Sequence, residues 1–220
     1  NEAVNIYSTL TGDGTTDTAV NVNGVGMYYD STTTRQIQIY GNGGNDCITA
    51  DDSVNIPLLI DGGAGNDVIV GGHANDLLFG GSGNDLINGN DGSDAIVGGD
   101  GLDGLYGDGG NDIVIGGASS DALAGGSGED ILIGGTTAYD TDTTALTALI
   151  TEWGSSKSNA IRVSDISNGG GLNVDYVLKS GAGATVFDDS AMDLIGKDGS
   201  RDWLFIHTTG SFLRRDLVLF

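Results

Sequence analysis

The chain has 220 residues, of which 40 are glycine and one is proline, and its formal net charge is −23 at pH 7. One proline excludes collagen-like and Pro-rich disordered chains, and the negative charge argues against nucleic-acid binding because phosphates would be repelled. Lys and Arg are absent between Arg35 and Lys157, whereas residues 41–135 carry sixteen acidic side chains. No apolar run is long enough to span a membrane. Cys47 is the single cysteine, so no disulfide can form within the chain.

The first forty residues are rich in Thr, Asn and Val and contain the strand-like segments VNIYSTL and RQIQIYG. We predict that residues 1–40 form irregular opening coils or an N-terminal cap. The sequence lacks an initiator Met and stops at RRDLVLF, which reads as a strand. We therefore expect a fragment or processed piece of a longer protein.

Residues 62–133 repeat with a period of nine: GGAGNDVIV, GGHANDLLF, GGSGNDLIN, GNDGSDAIV, GGDGLDGLY, GDGGNDIVI, GGASSDALA and GGSGEDILI. Position eight is aliphatic in every row. Position six is aspartate in every row, namely Asp67, Asp76, Asp85, Asp94, Asp103, Asp112, Asp121 and Asp130. An earlier row, GNGGNDCIT at 41–49, has Asp46 and Ile48 in the same places, followed by a degenerate row about three residues too long.

Nine residues are too few for a helix and its connection, so each row predicts a tight glycine turn followed by a short strand. Two rows make one coil of a parallel β-solenoid, with position eight pointing inward. Turns eighteen residues apart then stack on one edge at roughly 4.8 Å. The four odd rows place Asp67, Asp85, Asp103 and Asp121 on one edge, and the even rows place the other four on the opposite edge.

Stacked carboxylates at that spacing repel each other by about 0.9 kcal/mol even in bulk water. Carboxylate and turn carbonyl oxygens, without His or Cys ligands, are the ligand set that calcium prefers. Four stacked turns on each edge enclose three gaps, which predicts about six calcium ions. A seventh site follows if Asp46 lies one lengthened coil before Asp67.

The rows resemble the nonapeptide G-G-x-G-x-D-x-U-x of the RTX (repeats-in-toxin) proteins. The resemblance covers 62–135 closely and 41–49 well, and it implies an all-β, right-handed parallel β-roll over 41–135. It also implies that each ion lies between two stacked turns, held by position-six aspartates and by backbone carbonyls of turn residues. The glycines matched to that role are Gly63, Gly65, Gly72, Gly81, Gly83, Gly99 and Gly101. The turns that depart from the glycine pattern have Ala74, Asn90, Asp108 and Ser119.

Outward positions on the even rows form a continuous apolar stripe, comprising Leu77, Phe79, Val97, Ile113, Ile115, Ile131 and Ile133. A patch of this size is normally covered. Two alternatives stay open from the sequence. The stripe is packed under a terminal segment of this chain, or it contacts another copy or domain.

The repeat ends near Gly135, and we predict a C-terminal cap over 136–220. Leu146, Leu149, Ile150 and Trp153 recur at helical spacing, which predicts one amphipathic helix over 143–153 with Thr143 as its N-cap. Residues 154–183 are expected to be loop and strand pieces, followed by returning coils. Asp193 and Asp202 lie nine apart in those coils, but the nearby Lys197 and Arg201 argue against calcium there.

No catalytic motif is apparent. G-x-S-x-G, H-E-x-x-H, a P-loop and a complete EF-hand loop are missing from the sequence. His73 occupies a variable turn position, and Cys47 an outward strand position without an activating base. We expect no enzymatic activity from this stretch.

We therefore expect an extracellular calcium-binding structural protein that folds on calcium and forms part of a surface or matrix assembly. The alternative is a non-catalytic secretion or folding module of a larger secreted enzyme or toxin. An ice-binding role is disfavoured because position three lacks a regular rank of Thr or Asn. The resemblance implies a bacterial protein, secreted or at the cell surface, with type I secretion.

Overall fold

The nine-residue rows fold as the turns and strands of a parallel β-solenoid, as the sequence predicts. A computed structural model of the chain describes residues 2–10, 16–22, 25–30, 35–169, 171–172, 176–179, 184–189, 191, 193–196 and 202–205. The strands before the cap are β1 (Ala3–Leu10), β2 (Thr16–Val22), β3 (Val25–Asp30), β4 (Ile37–Tyr40), β5 (Cys47–Ala50), β6 (Leu58–Ala64), β7 (Val68–Val70), β8 (Leu77–Ser82), β9 (Leu86–Asn88), β10 (Ala95–Asp100), β11 (Gly104–Gly109), β12 (Ile113–Ala118), β13 (Ala122–Ser127) and β14 (Ile131–Ile133). The remaining elements are β15 (Thr136–Thr137), α1 (Thr143–Trp153), α2 (Asn159–Asn168), β16 (Val186–Phe187), β17 (Leu194–Gly196) and β18 (Trp203–Phe205).

Alternate strands of the chain fall in two facing sheets. Within the described residues, one sheet has the order β17-β13-β11-β9-β7-β5-β1-β2-β3 and the other the order β18-β14-β12-β10-β8-β6-β4. Neighbouring strands of the regular rows are parallel with an eighteen-residue register, as in the pairs Val68↔Leu86 and Ala95↔Ile113. Cys47 pairs with Val68, a register of twenty-one, so the predicted lengthened coil is confirmed.

The core between the sheets is built from the position-eight side chains, because successive strand residues point to opposite faces. These side chains are buried and form one cluster: Ile69, Leu78, Ile87, Ile96, Leu105, Val114, Leu123 and Leu132. Ile48 and Ile195 extend the cluster at its two ends. The inward orientation predicted for position eight is confirmed.

The N-terminal strands extend one sheet with antiparallel pairs. The strand β1 lies parallel to β5, whereas β2 pairs antiparallel with both β1 and β3. The strands β1 to β3 therefore join one sheet as a meander, whereas β4 pairs parallel with β6 in the other sheet. The division of the chain at 40 and 135 stays a prediction.

The apolar stripe lies under this chain's own C-terminal segment. Leu77, Val97, Ile113, Ile115, Ile131 and Ile133 are buried, and they form one cluster with Leu146, Leu149, Ile150 and Trp153 of α1 and with Ile166 and Leu178. Phe79 is partly buried beside them. The first of the two alternatives for the stripe therefore describes this structure.

In the residues of the cap that the structure describes there are two helices, where the sequence predicted one. The first, α1, ends at Trp153 as the apolar spacing predicts, but its N-cap is Asp142, whose side chain accepts the N–H groups of Thr144 and Ala145. The second, α2, occupies a stretch expected to be loop and strand. Only Arg162 and Ile166 of this helix are buried. Its position therefore depends on a few contacts with other elements and not on a broad apolar face.

Arg162 of α2 fastens the cap to the roll. Its guanidinium forms an ion pair with Glu129 in the last regular turn and lies 4.7 Å from the centroid of the Trp153 ring. Lys157 pairs with the buried Glu152 at 2.7 Å and with Asp165 at 3.0 Å. No helix in the described part of the chain is long and apolar enough to cross a membrane.

Candidate metal centre

The position-six aspartates are buried, although each lies in a turn at the edge of the solenoid. Their exposed fractions range from 0 to 4%. The set consists of Asp46, Asp67, Asp76, Asp85, Asp94, Asp103, Asp112, Asp121 and Asp130. Each precedes a strand whose next inward residue is the position-eight aliphatic, so the parallel register places aspartates eighteen residues apart directly above one another.

One carboxylate oxygen of each aspartate links it to the turn before. The Asp67 N–H donates to Asp85 Oδ1 at 2.8 Å, and the Asp85 N–H donates to Asp103 Oδ1 at 2.8 Å. The same bond joins every stacked pair: Asp46 to Asp67, Asp103 to Asp121, Asp76 to Asp94, Asp94 to Asp112, and Asp112 to Asp130. The two edges that the sequence predicts are therefore present, and Asp46 extends the first.

Within the described part of the chain, the second carboxylate oxygen has no hydrogen-bond partner at six of these positions: Asp67, Asp85, Asp94, Asp103, Asp112 and Asp121. A buried carboxylate oxygen left unpaired costs several kcal/mol unless a cation or a proton satisfies it. Asp76 differs, because its Oδ2 accepts the Gly72 N–H at 2.8 Å. The other six oxygens therefore require a ligand that the protein itself does not supply.

Burial raises the pKa of the aspartates on these edges. Desolvation raises the pKa of Asp94 to about 10, with a further contribution from the neighbouring carboxylates of Asp76 and Asp112. Desolvation also raises the pKa of Asp112 to about 8 and that of Asp121 to about 7. The same cause raises the pKa of Asp76 to about 7 and of Asp85 to about 6, and it raises the pKa values of Asp67 and Asp103. Without a cation, these edges disfavour their own charge.

Backbone carbonyls line the gaps between stacked turns. A Cβ added to Gly81 would lie 2.0 Å from the Gly63 carbonyl oxygen, and one added to Gly83 would lie 2.0 Å from the Gly65 carbonyl oxygen. The carbonyls of Gly81, Gly83 and Gly99 face Gly99, Gly101 and Gly117 in the same way. The Gly72 N–H donates to Asp76 Oδ2, and the Gly101 N–H donates to the Ala118 carbonyl at 3.1 Å. The ligand roles of all the glycines predicted from the sequence, Gly72 and Gly101 included, stay predictions.

The turns that lack a glycine keep the glycine conformation in three cases. Asn90, Asp108 and Ser119 have φ values of 68°, 67° and 88°. Asn and Asp tolerate this left-handed region better than other side chains. Backbone strain therefore falls mainly on Ser119, whereas Ala74 does not adopt a positive φ.

Two features of the edges were missed from sequence. Position one is glycine in every row because the carboxylate lies against it: a Cβ on Gly80 would lie 2.4 Å from Asp85 Oδ2. At position five, the Asn66 and Asn84 side chains each accept the backbone N–H eighteen residues later, at 2.9 Å. The invariant first glycine and the recurrent Asn-Asp pair were the signals that could have revealed both.

The remaining candidates do not join a metal site. Cys47 is exposed, and His73 lies 3.3 Å from Asp91 in the next turn. Across the described residues, no three His, Cys, Asp or Glu side chains converge on one point. In the described part of the chain, the oxygens available to a cation are therefore those of the stacked carboxylates and the turn carbonyls. An all-oxygen set of this kind fits calcium, which accepts six to eight oxygens in flexible geometry.

Comparison with family models finds four copies of the RTX calcium-binding nonapeptide repeat, matched to residues 38–56, 59–87, 71–105 and 106–136. Comparisons with curated proteins and with solved structures give no match. The matched span includes all nine aspartates described above and stops before α1.

Proposed function

Because residues 38–136 belong to the family of RTX calcium-binding nonapeptide repeats, we propose that calcium ions between the stacked turns complete the fold of this chain. The ions act as structural elements and the roll carries no catalysis. The aspartates proposed as ligands are the nine at position six. The carbonyls proposed beside them are those of Gly63, Gly65, Gly81, Gly83 and Gly99.

The buried Oδ2 oxygens without partners carry this proposal. Six such oxygens recur at the same position of successive turns, each beside carbonyls from the turn above or below. A single unpaired oxygen would be a local defect, but six in register describe a repeated binding site. Calcium supplies the positive charge that neither a water molecule nor a distant Lys or Arg provides.

Four stacked pairs on the first edge and three on the second give about seven positions within 41–135. At free calcium tenfold above Kd, each ion stabilises the folded chain by about 1.4 kcal/mol, so seven ions contribute roughly 10 kcal/mol. This equals the whole stability of an ordinary domain, about 5–15 kcal/mol. We therefore expect no stable roll without calcium.

An extracellular location follows from the same dependence. Extracellular calcium modules bind with Kd values of about 10⁻⁴–10⁻³ M, far above cytosolic free calcium. A chain with such sites stays unfolded inside the cell and folds after export. Secretion by a bacterial type I system agrees with this order of events.

The burial of the apolar stripe bears on the choice between the two contexts. Contact of the stripe with another copy was one of the two alternatives that the sequence left open, but α1 and α2 occupy the stripe. The covered stripe favours the alternative, a non-catalytic folding module of a larger secreted enzyme or toxin. Assembly would then need another surface, such as the outer face of the sheet that exposes Leu86 and Tyr106.

One experiment tests the proposal. Circular dichroism of the whole chain is recorded in EGTA and after calcium is added back, followed by sedimentation velocity. We expect β-structure to appear with calcium and the protein to remain monomeric. Unchanged structure in EGTA would refute calcium-dependent folding. Ordered particles on calcium addition would favour the assembly context.

A further inference from the structure

The roll does not end at its last regular row, because the chain returns to it after the helices. The strand β17 pairs in parallel with β13 in the register Ala122↔Leu194 and Leu123↔Ile195. The Leu194 N–H donates to the Asp121 carbonyl at 2.7 Å, the bond that Ala122 makes to Asp103 one coil earlier at 2.8 Å. The returning segment thus continues the coil geometry, although 72 residues separate Asp121 from Asp193.

Gly134 and Asp193 together form one split repeat. In the regular rows, the first glycine packs against the aspartate five residues later, as Gly80 packs against Asp85. Gly134 begins a ninth row, but its sixth residue is Tyr139. The carboxylate that lies against Gly134 belongs to Asp193, with Oδ2 2.1 Å from where a Cβ would be. The residues between them form an insertion that carries both helices.

The returning segment that contains β17 reproduces other hydrogen bonds of a regular turn. Asp193 Oδ1 accepts the Asp121 N–H at 3.0 Å, which continues the bond series of the first edge. At position four, the Gly101 N–H donates to the carbonyl of Ala118 in the next turn. Its counterpart Ser119 donates instead to Asp189 Oδ2 at 2.7 Å, so a side chain of the insertion replaces the missing carbonyl.

Asp121 supplies a second, independent observation. Its side chain is 2% exposed, and its Oδ2 has no hydrogen-bond partner among the residues that the structure describes. In the regular rows this oxygen borders the gap between two stacked turns. The turn stacked next to that of Asp121 is the split turn, and the Gly134 carbonyl oxygen and the Asp193 carboxylate lie at its edge.

We propose that a calcium ion binds between Asp121 and the split turn formed by Gly134 and Asp193, and that it fastens the return strand β17 to the roll. This site lies partly beyond residue 136, where the family match ends. It rests on the proposed function, since it uses the same ligand chemistry. Lys197 and Arg201, which in the sequence argue against calcium beside Asp193, lie outside the described part of the chain. It adds that one ion joins two segments separated by the helical insertion and so holds both ends of the insertion together.

The test compares the whole wild-type chain with Asp193→Asn. Asparagine keeps the Oδ1 acceptor for the Asp121 N–H but removes the charge. Bound calcium is counted by equilibrium dialysis, and amide exchange is followed by mass spectrometry at saturating calcium. We expect one ion fewer and roughly tenfold faster exchange in β17, the factor that one site contributes at tenfold Kd. Exchange in β8 to β12 should stay unchanged.

Two controls make the result specific. Asp188→Asn removes an exposed charge from the same insertion and should alter neither the ion count nor the exchange of β17. Asp67→Asn should lower the ion count but leave β17 protected, because it lies at the other end of the first edge. Equal ion counts and equal β17 exchange in Asp193→Asn and wild type would overturn the inference while leaving the proposed function intact.

Two further outcomes are informative. If wild type binds no calcium, the proposed function fails and the inference fails with it. If Asp193→Asn loses protection throughout the roll even at saturating calcium, Asp193 supports the whole fold and not one end site. That result would also overturn the inference.

Discussion

Replacing Asp103 by asparagine tests whether the buried carboxylates act through bound calcium. Asp103 faces a stacked turn on each side: its Oδ1 accepts the Asp85 N–H at 2.8 Å, and its own N–H donates to Asp121 at 2.9 Å. Asparagine retains the accepting oxygen and places an amide where the unpartnered Oδ2 was. The substitution therefore removes charge from two adjacent calcium positions without removing the hydrogen bond.

Its cost follows from the number of ions that share Asp103. At free calcium tenfold above Kd, loss of two ions lowers the free energy of unfolding by about 3 kcal/mol. Urea unfolding followed by circular dichroism measures this difference, and dialysis counts the ions. Asp100→Asn is the matched control, because Asp100 lies three residues away in the same turn but is exposed. We expect that control to remain within about 0.5 kcal/mol of wild type.

Equal destabilisation by the two variants would refute the reasoning, since it would reduce the effect to loss of any charge from the turn. So would an Asp103→Asn variant that binds as much calcium as wild type. A selective loss at Asp103 cannot come from the hydrogen bond, which the asparagine keeps.

Three further predictions concern the turns, the cap and pH. Gly80→Ala would place a Cβ 2.4 Å from Asp85 Oδ2, so we expect calorimetry to show a destabilisation of about 2 kcal/mol. Gly104→Ala should be tolerated, because the nearest atom to its Cβ would be Leu86 Cδ1 at 3.3 Å. Leu149→Ala leaves a cavity at a fully buried position between α1 and the stripe, and urea unfolding should show the free energy of unfolding lowered by about 2–5 kcal/mol. Leu172→Ala, at a half-exposed position, should not show this loss. Burial raises the pKa values of five edge aspartates, Asp76, Asp85, Asp94, Asp112 and Asp121, from 3.8 to between about 6 and 10. Their protonation therefore favours folding below pH 4, and this contribution is lost as the pH rises through their pKa values in the folded chain. In buffer freed of calcium by a chelating resin, circular dichroism should therefore show more β-structure at pH 4 than at pH 8, and the opposite trend would contradict the burial of these carboxylates.

The regular part of the fold could be predicted because its determinants are local. The aspartate at position six and the aliphatic residue at position eight fix the period, and the period fixes the register of the coil. The two edges and the lengthened coil at Asp46 follow from counting alone. The apolar stripe was identified as a covered surface for the same reason, although the sequence did not say what covers it.

The parts that were missed depend on contacts distant in sequence. The helix α2 has few apolar residues and is held by Arg162, which contacts Glu129 in the roll and the ring of Trp153. The split repeat was missed because Asp193 completes a row begun by Gly134, with the whole insertion between them. Spacing within a window of nine residues cannot reveal a partner so far along the chain.

The sharing of each aspartate between two neighbouring turns has a consequence for how such a protein can change over time. With calcium bound as proposed, occupation of one position would order the carboxylate that the next position needs, and the array would respond to metal as a linear cooperative system. Gain or loss of a pair of rows by recombination would then shift the calcium concentration at which the chain folds. It would also make the folding transition steeper or shallower in calcium concentration. The length of the array becomes an adjustable parameter, and no individual binding position needs to be redesigned.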